Sequence, residues 1–153
     1  IHSGSVRPVN IRPRRPEDLA QCVEALSEVH TVDGYPHRSP DDPVGWLSPA
    51  DLDSAWIAER AGRVVGHLAL VGREDALWVS RLFVRPDARR SHVGERLLDK
   101  ARERGVLMLD VIEQSTSAIA LYERTGWTLL ERRPADWTLS DGTRPMERLY
   151  ISR

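Results

Sequence analysis

Leu82-Phe83-Val84-Arg85-Pro86-Asp87-Ala88-Arg89-Arg90-Ser91-His92-Val93-Gly94-Glu95-Arg96-Leu97-Leu98 runs from an apolar strand through a basic loop into an amphipathic helix. The first backbone N–H groups of a helix have no partner inside it and stand at the positive end of its dipole, so an anion is stabilised there. Arg89 and Arg90 add side-chain charge at the same spot. The stretch therefore predicts a phosphate-gripping turn between a strand and a helix.

Working outward, the segments on either side alternate between strand and helix patterns. Trp56-Ile57-Ala58-Glu59-Arg60, a turn at Ala61-Gly62, and Val64 to Val71 predict a hairpin, with Leu77 to Val84 as the next strand. Further upstream, Val9-Asn10-Ile11-Arg12 reads as a short strand, and Pro16, Glu17 and Asp18 open a helix to about His30. A polar connection follows, with Asp33-Gly34-Tyr35-Pro36-His37-Arg38 and Asp41-Asp42-Pro43, then Trp46-Leu47 and a second capped start at Ser48-Pro49. Downstream, Val93, Leu97, Leu98 and Ala101 form one apolar helix face in a helix from Gly94 to Gly105. Val106 to Ile112 is a continuous apolar strand except for Asp110. A helix from about Ser117 stops at Gly126, and strands are expected at Trp127–Leu130, Trp137–Leu139 and Met146–Ile151, with Asp141-Gly142 as a turn.

Composition bounds the class. The 153 residues are 41% hydrophobic and 29% charged, the balance of one ordinary globular domain, read here over residues 6–153. Ile1-His2-Ser3-Gly4-Ser5 lacks a starting Met and is read as a cloning remnant. A formal net charge of −1 argues against a nucleic-acid surface, and no apolar run is long enough for a membrane span or signal peptide. The lone Cys22 permits no intrachain disulfide, points to a reducing, cytoplasmic setting, and shares an apolar face with Leu19, Val23, Leu26 and Val29. The histidines are scattered without metal spacing, so no metal is expected, and no Walker-type, His-Glu-x-x-His or Gly-x-Ser-x-Gly motif is present.

Two segments together resemble the GNAT superfamily of N-acetyltransferases. Arg89-x-x-His92-x-Gly94 is similar to its Arg/Gln-x-x-Gly-x-Gly/Ala signature, with His92 in place of a glycine. Ser115-Thr116-Ser117-Ala118-Ile119-Ala120-Leu121-Tyr122-Glu123-Arg124-Thr125-Gly126-Trp127 is similar to Asn-x-x-Ala-x-x-Leu-Tyr-x-x-x-Gly-Phe, with Ser115 where Asn is usual. More loosely the resemblance runs from Val9 to Ile151 and takes in Val64-Val65-Gly66-His67.

The resemblance implies an α/β fold: a mixed, mostly antiparallel central sheet flanked by helices, with a splayed strand pair forming an acetyl-CoA cleft. It implies direct transfer of acetyl from acetyl-CoA to an amine in a ternary complex, and a small-molecule amine is expected as acceptor. Transfer to a protein amine, or a module that binds acyl-CoA without turnover, fits the same motifs. Tyr122 would protonate the departing thiolate. Leu82, Phe83 and Val84 would offer backbone groups to the pantetheine arm and an N–H to the oxyanion. The amides of Arg90, Ser91, His92, Val93, Gly94 and Glu95, with Arg89 and Ser115, would hold the cofactor. Glu113, just past a strand end, leads for the general base, with Asp33 and His37 behind it. Asp33, Tyr35 and His37 lie where relatives bind the acceptor, and an acid, an aromatic and an imidazole suit a small cation. Trp46, Trp56 and Trp78 are further candidates for the acceptor wall. A homodimer is admitted, although no exposed apolar stripe marks an interface.

Overall fold

A computed structural model describes residues 8–152, so the opening pentapeptide lies outside the described residues. The chain order is β1 (Asn10–Pro13), α1 (Leu19–Asp33), α2 (Pro43–Trp46), β2 (Leu52–Arg60), β3 (Arg63–Arg73), β4 (Ala76–Val84), α3 (Val93–Arg102), β5 (Leu107–Ile112), α4 (Thr116–Arg124), β6 (Thr128–Pro134) and β7 (Met146–Ile151). Short 3-10 turns at Pro16–Asp18 and Pro86–Ser91 lead into α1 and α3. The strands form one 7-stranded sheet in the order β1-β2-β3-β4-β5-β7-β6. Every neighbouring pair is antiparallel except β4–β5.

Both faces of the sheet are built from periodicity legible in the chain. On α1, Cys22, Ala25, Leu26 and Val29 recur at helical spacing and pack with Leu47, Ile57, Val64 and Phe83 on one face. Burial pushes the Cys22 thiol up to about 11, so it acts as a core filler. On the other face, Val93, Leu97, Leu98 and Ala101 of α3 meet Leu107, Leu109, Ile119, Tyr122, Trp127 and Tyr150. Gly66 on β3 lets α3 come close, since a Cβ there would stand 2.9 Å from Val93 Cγ1. Where β4 ends, the fully buried Arg85 donates to the Val64 carbonyl and pairs with Glu24 and Glu28, which ties the strand to α1.

Two expectations change. Ser48-Pro49 starts no helix; α2 begins earlier, where Asp42 accepts from the Gly45 N–H at 3.1 Å and Pro43 needs no donor at the first helical position. Trp137–Leu139 is not a strand, because β6 runs on to Pro134 and pairs with β7 as far as Met146. The intervening loop closes on itself through the Leu139 N–H to the Thr143 carbonyl, 2.7 Å.

His67 of β3 is fully buried, and its Nδ1–H donates to the Arg81 carbonyl at 2.8 Å while Nε2 accepts from Arg14 Nη1 at 2.9 Å. Burial chiefly, with nearby Arg14 and Arg81, lowers its pKa from 6.5 to about 4. Between those values the unfolded chain binds more protons than the fold, so this contribution is complete above pH 6.5 and disappears as pH falls to about 4. At ~1.4 kcal/mol per unit, the loss is about 3 kcal/mol. Urea unfolding at neutral pH and near the lower limit should show most of that loss in the parent and little of it in His67→Gln. An equal loss in both proteins would assign the acid sensitivity elsewhere.

Candidate functional site

The parallel ladder between β4 and β5 holds only Leu77↔Leu107 and Trp78↔Met108, and beyond these the strands part. On its other side β4 stays paired to β3 as far as Val84, but its register slips between His67↔Phe83 and Ala69↔Ser80. That bulge puts Arg81 at φ 54, a left-handed conformation costing a non-glycine residue about 1–2 kcal/mol. The His67 bond to the Arg81 carbonyl and an Arg81 Nε bond to the Trp46 carbonyl, 2.9 Å, hold the bend.

Leu82, Phe83 and Val84 follow the bulge. Phe83 stacks on His67 with centroids 5.0 Å apart, and Leu82 and Val84 pack partly against the main core. Their side chains are packing, and their backbone edge toward β5 has no strand partner. Arg89 donates to the Val84 carbonyl through Nη2 at 3.2 Å and reaches Asp33 Oδ1 through Nη1 at 3.0 Å. Asp33 at the end of α1 is thus engaged by Arg89 rather than gathered with Tyr35.

Beyond Arg89, Arg90 is exposed, Ser91 accepts from Arg60 at 2.8 Å, and His92 enters α3 at φ 57. The His92 side chain is 74% exposed, 3.4 Å from Glu95, so the cost of replacing a glycine lies in the backbone and the amide side of the loop stays open. Glu95 itself is bound by Arg124, which with His92 lowers its pKa. Gly94 gives α4 room, since a Cβ there would lie 3.2 Å from Leu121 Cδ2. His92→Gly should raise stability by about 0.5–1 kcal/mol, a rise in Tm of about 1–4 °C; a fall would mean the His92–Glu95 contact outweighs the strain. Ser115 stands just before α4 and makes no side-chain capping bond there.

Tyr122 projects from α4 into the main core beside Trp127 and Tyr150, 7% exposed, and its hydroxyl bonds no described residue. Burial raises its pKa, and Tyr35 and Asp110 add to the shift. Tyr35 comes from the opposite face: the residue is 36% exposed, and crowding of its hydroxyl by protein pushes its pKa up to about 12, with Arg81 opposing and Asp110 adding to the shift. The Tyr35 ring meets Trp46 edge-on at 6.2 Å. Asp110 is on β5 past the last β4 pair; water reaches it, but the walls thin its hydration and raise its pKa, against the pull of Arg133 and Arg73.

The remaining acceptor-side residues separate. His37 accepts from the Ser140 N–H at 3.0 Å and lies 6.2 Å from Trp137, joining the loop after α1 to the loop between β6 and β7. Glu113 is held by Arg132 and Arg148, which drop its pKa to about 2. A carboxylate so paired is a poor proton acceptor, whereas Asp110 makes no ion pair among the described residues. Trp46 lines the site, whereas Trp56 packs by the core under Lys100 and Trp78 donates to the Arg73 carbonyl at 3.2 Å. Among the described residues no group of His, Cys, Asp or Glu could hold a metal, and no helix is long and apolar enough to cross a membrane.

Opened β4 backbone and the free amides entering α3 fit the pantetheine arm and pyrophosphate of acetyl-CoA. The family model of the acetyltransferase (GNAT) domain matches residues 51–129. Among solved structures, the ribosomal-protein-S18-alanine N-acetyltransferase from Escherichia coli superposes with a TM-score of 0.71 at 20% identity, covering 94% of this chain and 92% of that one. A GNAT-family acetyltransferase from Staphylococcus aureus Mu50 gives 0.72 at 19%, covering 94% and 98%. Arabidopsis thaliana NAA60 in complex with acetyl-CoA gives 0.71 at 16%, covering 94% and 98%. Comparison with curated proteins returns no match. The domain match spans more than half of the chain and contains the splayed β4 and the loop into α3, so this protein belongs to the GNAT family and is an acetyl-CoA-dependent acyltransferase.

Proposed function

We propose that the chain is an N-acetyltransferase acting on the primary amine of a small molecule, with Asp110 as general base and Tyr122 as general acid. The observation that carries this is the opening of β4 from β5 beyond Trp78↔Met108, with Asp110 on β5 past that last pair and a Tyr122 hydroxyl that bonds no described residue. Acetyl-CoA supplies the acetyl group as a thioester, which the acceptor nitrogen takes as the thiol is released. Leu82, Phe83 and Val84 hold the donor through backbone groups, and the amides from Arg90 to Glu95 hold its pyrophosphate. Asp110 attracts the ammonium form of the acceptor and takes a proton from nitrogen as the new N–C bond makes that proton acidic. Tyr122 gives its proton to the sulfur, and its raised pKa keeps that proton in place at working pH. No covalent enzyme intermediate is needed, in keeping with the buried Cys22.

A small acceptor is supported by the His37–Ser140 bond, which ties the loop after α1 to the loop between β6 and β7. This reading places the enzyme in the cytoplasm, where the lone thiol stays reduced. Its test is calorimetry with acetyl-CoA, followed by thiol release against a panel of small amines. Micromolar binding with amine-dependent release is expected. Binding without release for any amine, peptide amines included, would leave an acyl-CoA-binding module instead.

A further inference from the structure

Arg81 is absent from the steps above, yet the fold goes to some length to place it. An ordinary β4 would alternate its side chains regularly; the bulge adds one residue, forces Arg81 into a left-handed backbone and turns its side chain onto the face that carries Tyr35 and Trp46. There the guanidinium lies 4.2 Å over the Trp46 ring and donates through Nε to the Trp46 carbonyl. Nη1 makes only a long 3.4 Å contact with Ser80 Oγ, and Nη2 has no partner among the described residues.

Charge bookkeeping at this point does not close. Arg12 has Asp18 and Glu59, Arg85 has Glu24 and Glu28, and Arg148 has Glu113 and Glu123, while Arg14, which has no carboxylate, spends its guanidinium on the Leu47 carbonyl, His67 and Ser48. Arg81 is partly buried, and no described carboxylate lies within ion-pair distance of it. Burial accordingly weakens its hold on the proton, against the attraction of the more distant Asp51. A partly desolvated guanidinium with a free edge is costly unless an anion completes it. Asp110 alternates along β5 with Leu107, Leu109 and Val111, which pack in the main core, so it faces the side of the sheet that carries α1, Trp46 and Arg81.

We propose that the acceptor is a free amino acid, or a small amine bearing a carboxylate beside its nitrogen, with the carboxylate on the open edge of Arg81 and the amine at Asp110. This rests on the acetyl-transfer reading above and narrows its substrate class. The planar fork of Arg81, fixed on Trp46, matches a carboxylate with two parallel hydrogen bonds. A plain alkylamine fills the Asp110 end and leaves the cation unmatched. A protein lysine has no carboxylate next to its amine and leaves it unmatched too.

The test compares acceptors that differ only by the carboxylate: L-phenylalanine with phenethylamine, L-methionine with 3-(methylthio)propylamine, and glycine with methylamine, by thiol release with saturating acetyl-CoA. The parent enzyme should favour the amino acid of at least one pair by about ten- to a hundred-fold in kcat/KM, the worth of one charged hydrogen-bonded pair. In Arg81→Met that ratio should collapse toward one through a rise in KM for the amino acid, and Arg81→Lys should recover part of it. Equal kcat/KM within every pair for the parent, or a penalty in Arg81→Met that falls equally on both members, overturns the proposal while leaving acetyl transfer intact. Release with a peptide lysine but with neither member of any pair overturns it as well. Calorimetric binding of acetyl-CoA with no release to any acceptor overturns the acetyl-transfer reading, and this one with it.

Discussion

Asp110→Asn should lower kcat by about a hundred- to ten-thousand-fold, the range a positioned general base supplies. The substitution keeps shape and hydrogen-bonding capacity but removes the lone-pair basicity, so acetyl-CoA affinity by calorimetry should stay within about threefold of the parent. The pH profile separates this from a structural effect. The thinned hydration of the exposed Asp110 raises its pKa, against Arg133 and Arg73, so the parent's rate should climb with pH as this carboxyl loses its proton, from a point above the ordinary aspartate value. Asp110→Asn should lack that limb. Glu113→Gln is the matching control: Glu113 is already anionic between Arg132 and Arg148, so its loss should change kcat far less. A large fall for Glu113→Gln and a small one for Asp110→Asn would return the base to Glu113.

The contrast between those two acids shows how far the chain alone can be read. Glu113 follows a strand end that faces the cofactor, a good place for a base on a linear view. What disqualifies it is supplied from far along the sequence, by Arg132 on β6 and Arg148 on β7, and no local pattern reports such pairs. Asp110 did leave a trace, as the one charge in the apolar run from Val106 to Ile112. A strand covered on both faces excludes such a residue; a strand that parts from its neighbour exposes one there. Asp33 and His37 tell the same story, one taken by Arg89 and the other by Ser140.

Helix faces were legible because they depend on spacing: Val93, Leu97, Leu98 and Ala101 bury together as their period requires. The Arg81 bulge was not legible. Left-handed backbone at an arginine has no residue-type signal, and what sustains it is a histidine on β3 and a carbonyl on α2. His67 sits within the Val64-Val65-Gly66-His67 segment that the looser resemblance takes in, but its work is visible only once β3 and β4 are paired.

Tyr122→Phe should lower kcat by about a hundred-fold, toward the low end for a general acid because a thiol of pKa near 8.5 already leaves readily. Stability gives this prediction its discriminating power. The Tyr122 ring carries the packing against Trp127 and Tyr150, and phenylalanine keeps all of it. The hydroxyl bonds no described residue, so removing it breaks no hydrogen bond among the described residues. Tm should therefore hold or rise, and acetyl-CoA should still bind, while turnover falls. A packing role gives the opposite pattern, with activity preserved or lost only in proportion to Tm. An unchanged kcat in a stable Tyr122→Phe protein would hand the sulfur's proton to water or to Tyr35, the tyrosine on the opposite face of the sheet. The double variant Tyr35→Phe/Tyr122→Phe would then be slow where each single one is not.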